Sequence, residues 1–399
     1  MVFKYKSVSQ TGQIIEGFFE ANDESDVVSM IKDKNHMPLL VERDIKADAK
    51  VELFTPKVKK KDLAVFCRQF YTMIDAGLGI VKCLDILAVQ AENKTLCKAI
   101  ISINEDVQKG LVLSEAMKKH KNIFPTILTS MVEAGEISGN LDTIMERMAI
   151  HFEKENKLEN KIKSSLIYPM ILIIVSVAVV IFMLVFVLPT FIGMFESSDS
   201  PLPGPTRIML SLSESLNTHW YIYGVVLLSL IIGTHVYKKT NSGKRFLDSL
   251  KLKIPIINTT TSKIITSRFT RTLSTLISSG IPLIQALEVV GRVVNNVVVE
   301  KGINDGIENI RKGIPLSRTI KDIGIFPPMV DSMIKVGEES GALDDILYKT
   351  ADFYDEEVET NLQRLTTLIE PILIVGMALI IGFIVIAMAM PMFDVVNTI

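Results

Sequence analysis

The 399-residue sequence predicts a mainly α, polytopic membrane protein with two repeated cytoplasmic helical bundles, three transmembrane helices and a small α+β amino-terminal module. Three observations predict it. A unit of about 125 residues occurs twice. Three stretches without Asp, Glu, Lys or Arg are each long enough to cross a bilayer, which takes about 20 apolar residues. The amino-terminal residues alternate as strands do, where the rest of the chain has helical spacing.

Residues 1–55 form the module. Val2–Val8 and Ile14–Phe19 are β-prone runs around the turn Gln10–Gln13, Asp23 caps a helix over residues 24–34, and Pro38–Val41 follow as a strand, giving ββαβ. No apolar run follows the first charges, so no secretory signal is expected and the module stays cytoplasmic. The linker Pro56-Lys57-Val58-Lys59-Lys60-Lys61 reads as a solvated helix start. A lipid-attracting reading gives it about 1 kcal/mol per basic residue near anionic headgroups.

Residues 56–163 carry apolar side chains at three- and four-residue intervals (Leu63, Phe66, Phe70, Met73, Ile74), punctuated by Gly77, Gly110, Pro125 and Gly139, as a bundle of short amphipathic helices requires. Residues 238–366 repeat the pattern with Gly280, Gly313, Pro327 and Gly341. Arg68 and Arg271 stand 203 residues apart, Gly135 and Gly337 stand 202 apart, and one deletion before Phe124 or Phe326 reconciles the two spacings. Pro282 suits the first turn of a helix; the first copy has Gly79 there, so that turn is expected to be less rigid.

The spans are expected at 164–195, 215–237 and 367–393, with an outer loop at 196–214 and an outer tail at 394–399. Lys154, Lys157, Lys161 and Lys163 precede the first span and Lys238, Lys239, Lys244 and Arg245 follow the second, which makes those sides cytoplasmic. Both copies start inside and end outside, so the unrepeated middle span, with Trp220, Tyr221, Tyr223 and Tyr237 as interfacial anchors, returns the chain to the cytoplasm. Pro169 and Pro371 stand at matched span starts and Pro189 and Pro391 at matched ends, where proline begins, kinks or ends a helix. Ser229-x-x-x-Gly233 and Ala378-x-x-x-Gly382 permit close helix approach. The spans' charge-free interiors argue against the alternative, a small transporter or channel.

Composition narrows the chemistry. The net charge of −2, without an extended basic stripe, gives no reason to expect nucleic acid. Cys67, Cys83 and Cys97 fit neither a metal site nor a disulfide framework and read as reduced. The five histidines are scattered, and no phosphate loop or nucleophile elbow is found. No enzyme activity, cofactor or metal is expected.

One octapeptide stands out. Gly135-Glu136-Ile137-Ser138-Gly139-Asn140-Leu141-Asp142 recurs as Gly337-Glu338-Glu339-Ser340-Gly341-Ala342-Leu343-Asp344. Its glycines suit a helix end and a tight reversal, Ser138 or Gly139 (Ser340 or Gly341) caps the next helix, and Asp142 and Asp344 complement that helix's dipole. Glu136 and Glu338 are left over. They suit contact with a partner or another helix, plain structural use or, with Glu133 nearby, a hard divalent cation. Glu370, at the membrane interface, suits an ion pair with a neighbouring subunit or plain solvation.

Two such units, the first leading to Leu166-Ile167-Tyr168-Pro169 and the second to Leu368-Ile369-Glu370-Pro371, resemble the PilC/GspF inner-membrane platform proteins of type IV pilus and type II secretion systems. The resemblance covers nearly the whole chain, with Gly79 departing from the family's usual proline. It implies a non-enzymatic platform in a bacterial inner membrane, which the lysine-rich flanks orient with the amino terminus inside and the carboxyl terminus outside. It also implies a homo-oligomer that engages a cytoplasmic assembly ATPase, prepilin or pseudopilin subunits, other inner-membrane assembly proteins and membrane lipid. On this reading Glu136, Glu338, Asp142, Asp344 and Glu370 are the candidate partner-binding residues. Gly135, Ser138, Gly139, Gly337, Ser340, Gly341, Pro169 and Pro371 form the structural motif.

Overall fold

The structure, a computed structural model, describes residues 2–8, 14–20, 24–33, 36–43, 56–193 and 203–397. The expected turn at Gln10–Gln13, the cap at Asp23 and the loop residues Glu196, Asp199, Pro201 and Leu202 lie outside these. The chain divides into two units, Met1–Val58 with Glu92–Thr95, and Lys59–Ala91 with Leu96–Ile399.

In the first unit, β1 (Val2–Val8) lies between β2 (Ile14–Glu20) and β3 (Met37–Arg43), antiparallel to both, with α1 (Glu24–Asp33) between β2 and β3 in sequence. Val27 and Ile31, one turn apart on α1, are buried. The register of β3 slips beside Pro38, which lacks the N–H of a ladder residue and is tolerated on an edge strand.

The second unit contains both copies of the repeat apart from residues 92–95. The first runs through α2 (Lys60–Asp75), α3 (Ile80–Gln90), α4 (Lys94–Gln108), α5 (Leu113–Lys118), α6 (Thr126–Ser138) and α7 (Leu141–Phe182). A π-helical turn (Met183–Val187), α8 (Leu188–Gly193), α9 (Gly204–Lys239) and α10 (Asn241–Lys253) lead to the second. That copy is α11 (Pro255–Ser278), α12 (Leu283–Val293), α13 (Val297–Arg311), α14 (Leu316–Ile323), α15 (Pro328–Ser340) and α16 (Leu343–Asn397).

The duplication extends to individual contacts. Phe66 packs on Phe124 and Phe269 on Phe326. Arg68 pairs with Glu153 and Arg271 with Asp355; Lys60 pairs with Glu155 and Lys263 with Glu357. Each copy therefore ties its first helix to its long last helix in the same way. Gly79 and Pro282 are also matched, each the extended residue that caps the helix after it (φ −69°, ψ 150° and φ −56°, ψ 142°). Pro282 thus stands one position before the first turn it was expected to enter.

Among the described residues, three helices are long and apolar enough to cross a membrane. α7 and α16 each pass from bundle to span without a break, so the boundaries expected at 163/164 and 366/367 fall inside continuous helices of 42 and 55 residues. At 1.5 Å per residue they are about 63 and 83 Å long.

Neither Pro169 nor Pro371 begins or ends a helix. Proline removes the donor for the carbonyl four residues earlier, and in a membrane that carbonyl needs another. The Thr366 hydroxyl, which bonds the Leu362 carbonyl of its own helix (2.9 Å), also reaches the Ser165 carbonyl freed by Pro169 (3.3 Å), and the buried Thr206 hydroxyl donates to the Ala387 carbonyl freed by Pro391 (2.5 Å). At the π-turn, which disturbs the helical ladder, the buried Ser213 donates to the Leu184 carbonyl (2.6 Å). Each of the three hydroxyls reaches a carbonyl on a different helix.

Residues 204–214, expected in the outer loop, are the first turns of α9. Pro205 suits a helix start, and Arg207 and Glu214 kept these residues out of the charge-free run. Met209, Leu210 and Leu216 pack on a cluster of Leu184, Leu188, Ile384 and Met388 from the other two spans. α9 then kinks at His219, and beyond it Trp220, Tyr221, Tyr223 and Tyr237 are exposed. Gly233 and Gly382 have open space around them, so among the described residues neither small-residue pattern brings another helix close. α16 continues to Asn397, making most of the expected tail helical.

Candidate functional site

The octapeptide is the junction between α6 and α7, and again between α15 and α16. Gly139 and Gly341 are left-handed (φ 75° and 69°), a conformation that glycine adopts without the Cβ penalty. Gly135 serves packing: a Cβ there would stand 2.9 Å from Ile144 Cγ1 and 3.3 Å from Leu141 Cα. At Gly337 the closest atoms are Leu343 Cα and Cδ1, both at 3.0 Å. Ser138 bonds back to the Gly135 carbonyl, so it does not cap α7 as expected; Asn140 holds that position, without a side-chain cap. Ser340 ends α15. Asp142 and Asp344 lie half-buried in the first turns of the long helices, where the dipole favours a carboxylate.

Glu136 and Glu338 are not spare residues. Glu136 accepts the backbone N–H groups of Leu113 (2.6 Å) and Ser114 (3.0 Å), and so closes the amino terminus of α5 from a neighbouring helix. Glu338 does the same for α14 through Leu316 (2.6 Å) and Ser317 (3.1 Å), and also accepts the Ser317 hydroxyl (2.6 Å). Neither helix has a cap of its own, because Val112 and Pro315 occupy the capping positions. The expectation that neither cap nor core needs these glutamates is corrected: they cap across 21 to 23 residues of sequence, where local cap rules do not look. Glu133 pairs with Lys118 (2.8 Å) rather than sharing a cation site with Glu136.

The two copies meet along their long helices. Lys154 bonds Asp352 (2.9 Å), Lys161 pairs with Glu359, and Leu158 packs against Val358 and Leu362. Farther along, the Tyr168 hydroxyl donates to Glu370 (3.1 Å). These two residues are equivalent in the repeat, 202 apart, so α7 and α16 run parallel and in register here, with a local twofold between the copies. Glu370 therefore has a partner within its own chain.

Beside this seam, Arg147 bonds Ser278 and Ser279 across the copies. It lines a cavity of about 290 Å³ with His151, Arg271 and Asp344. His151 is buried, and its Nδ1 has no hydrogen-bond partner. Burial first, then Lys60 and Arg271, hold its pKa down to about 3. A larger cleft of about 710 Å³ opens between α6 and α12, lined by Glu133, Ile137, Ser138, Gln285, Glu288 and Arg292. Ile137, inside the octapeptide, is 84 % exposed there.

The structure gathers Gly135, Glu136, Ser138 and Asp142 at one junction and their equivalents at the other, and leaves Glu370, Pro169 and Pro371 on the paired long helices. Sequence reading missed Thr206, Ser213 and Thr366. Thr366 lies five residues before Pro371, in a part of the chain read as soluble bundle; a search for hydroxyl residues able to serve proline-freed carbonyls would have found it.

A duplicated helical bundle whose last helix continues into a span, with an unpaired span between the copies, defines a multi-pass membrane protein made by internal duplication. The family described as "Type II secretion system (T2SS), protein F" matches residues 66–189 and again 269–391, the two copies found above, and the chain belongs to this family. It is 35 % identical over 401 residues to the type IV pilus assembly protein PilC of Thermus thermophilus, covering 100 % of this chain and 98 % of the relative. With PilC of Myxococcus xanthus the identity is 36 % over 399 residues (100 % and 95 %). With the type II secretion system protein F of Vibrio cholerae it is 31 % over 400 residues (99 % and 98 %).

Proposed function

We propose that the chain is the inner-membrane platform of a type IV pilus or type II secretion machine, a non-enzymatic part that couples a cytoplasmic motor ATPase to assembly of pilin or pseudopilin subunits. Family membership and full-length relatives from both kinds of system support this reading. The observation that carries the coupling is the continuity of α7 and α16 from the octapeptide into the membrane. A tilt of the bundles reaches the spans through two paired rods with no joint. The lysine-rich flanks orient the bundles and the amino terminus to the cytoplasm, and the carboxyl terminus outside. The assembly works as a homo-oligomer beside other inner-membrane assembly proteins. Because the carboxylates of Glu136 and Glu338 are engaged internally, the motor contact falls to the exposed residues beside them, Ile137 and Glu339.

The test uses the full chain in the organism that encodes it. Deletion is expected to abolish pili or pseudopili, and the tagged protein is expected to retain the motor ATPase through purification. A flexible Gly-Ser insertion after Glu159, with a second after Asn361, should leave motor association intact and abolish assembly. Normal assembly with both insertions refutes the rod coupling; assembly unaffected by deletion, with no motor retained, refutes the platform.

A further inference from the structure

The helix that follows the middle span is turned the wrong way round for a helix of a soluble bundle. α10 buries its acid: Asp248 is 4 % exposed, accepts the Val297 N–H at the start of α13 (3.2 Å) and pairs with Lys251 (3.0 Å). On the opposite face, Phe246 and Leu250, one turn apart, are 58 % and 41 % exposed. Arg245 adjoins Phe246, Lys253 lies two turns on from it, and both are exposed. The apolar row continues with Ile254 and Ile257, also exposed, across the start of α11. An apolar strip flanked by cations is the composition of a helix that lies in a membrane interface, where the long basic side chains reach the headgroups.

The position of α10 supplies the second argument. α9, the middle span, ends at Lys239, and the backbone turns at the extended residue Thr240 (φ −78°, ψ 141°) before α10 begins. The turn is tight: a Cβ on Gly243 would stand 2.0 Å from the carbonyl oxygen of Tyr237, so the start of α10 is pressed against the end of the span. The face therefore follows the end of the middle span with one residue, Thr240, between the two helices, and its positive charge matches anionic headgroups.

We propose that the Phe246–Leu250 face of α10, with Arg245 and Lys253, docks on the anionic phospholipid surface at the membrane face where the middle span ends. The helix then sets the depth of the second bundle, because Asp248 holds it to α13.

The full chain, one molecule per nanodisc, tests this with nitroxides placed singly at Phe246→Cys, Leu250→Cys and Lys244→Cys. Cys97, the half-buried cysteine, is replaced by Ser; Cys67 and Cys83 are buried and stay. In discs containing phosphatidylglycerol, labels at 246 and 250 are expected to be shielded from an aqueous nickel chelate and open to oxygen, with the reverse at 244. Arg245→Gln and Lys253→Gln, both exposed and tolerable to the fold, should each lower the docked-to-free ratio about fivefold. Pure phosphatidylcholine should act in the same direction. Labels at 246 and 250 as nickel-accessible as at 244 overturn the proposal. So does shielding that ignores lipid charge and both substitutions. Shielding that arises only with two chains per disc overturns it in favour of a second copy.

Discussion

Replacing Glu136 by Ala leaves the Leu113 and Ser114 N–H groups at the start of α5 without an acceptor, since Val112 offers no side-chain cap. Loss of an N-cap costs about 1 kcal/mol, and two charge-assisted bonds in a half-buried site raise this to about 2 kcal/mol. That corresponds to roughly a 30-fold rise in local opening, at about 1.4 kcal/mol per factor of ten. Glu338→Ala should cost about 1 kcal/mol more, because the Ser317 hydroxyl also loses its acceptor. Glu136→Gln keeps an acceptor oxygen but no charge and should fall between wild type and Ala. Hydrogen exchange measured by mass spectrometry on the full chain reads this directly in peptides over 111–119 and 314–324. Faster exchange confined to α5 in Glu136→Ala and to α14 in Glu338→Ala is expected. Unchanged exchange in both, together with lost motor association, would refute the capping assignment and return these residues to partner contact.

Gly135→Ala and Gly337→Ala press a Cβ against backbone and side-chain atoms of the next helix and should each destabilise the junction by about 1–3 kcal/mol, measured by denaturant unfolding in detergent. Gly79→Pro should stabilise by about 0.4–1 kcal/mol in the same assay, because Gly79 already holds a proline-compatible φ of −69°. His151 refuses a proton down to about pH 3, whereas the unfolded chain takes one up near pH 6.5. Its contribution to stability is therefore constant above pH 7 and falls by about 1.4 kcal/mol per unit as pH drops through that window. Unfolding at pH 7 and 5 should show His151→Leu losing about 2 kcal/mol less than wild type between the two. Thr206→Val should cost about 1 kcal/mol in a membrane unfolding assay; in a Pro391→Ala background, where Ala387 regains a backbone donor, that cost should vanish.

Much of the fold was legible because it rests on local signals. Charge-free runs revealed the spans, three- and four-residue spacing revealed the bundles, and alternation over Val2–Val8 and Ile14–Phe19 revealed the sheet. The exact match of Gly135 with Gly337 marks the α6–α7 and α15–α16 junctions. What escaped was set by contacts between residues far apart in sequence. Glu136 reaches back 23 residues to Leu113. Thr206 reaches 181 residues to Ala387, which no window of sequence can contain. The start of α9 escaped for a different reason: Arg207 and Glu214 made a helical segment look like a loop, although charge near a membrane surface does not stop a helix.

The seam between α7 and α16 has a consequence for how chains of this kind associate. At equivalent positions the first copy carries Lys154 and Lys157 where the second carries Glu356 and Glu359. Two separate, identical repeats packed in register would set lysine against lysine. Joined in one chain, the halves were free to become opposite in charge, so each now fits the other better than it fits itself. A neighbouring molecule offering its own α7 to this one meets a like-charged stripe. The duplication thus closes the pairing of the rods within a single chain.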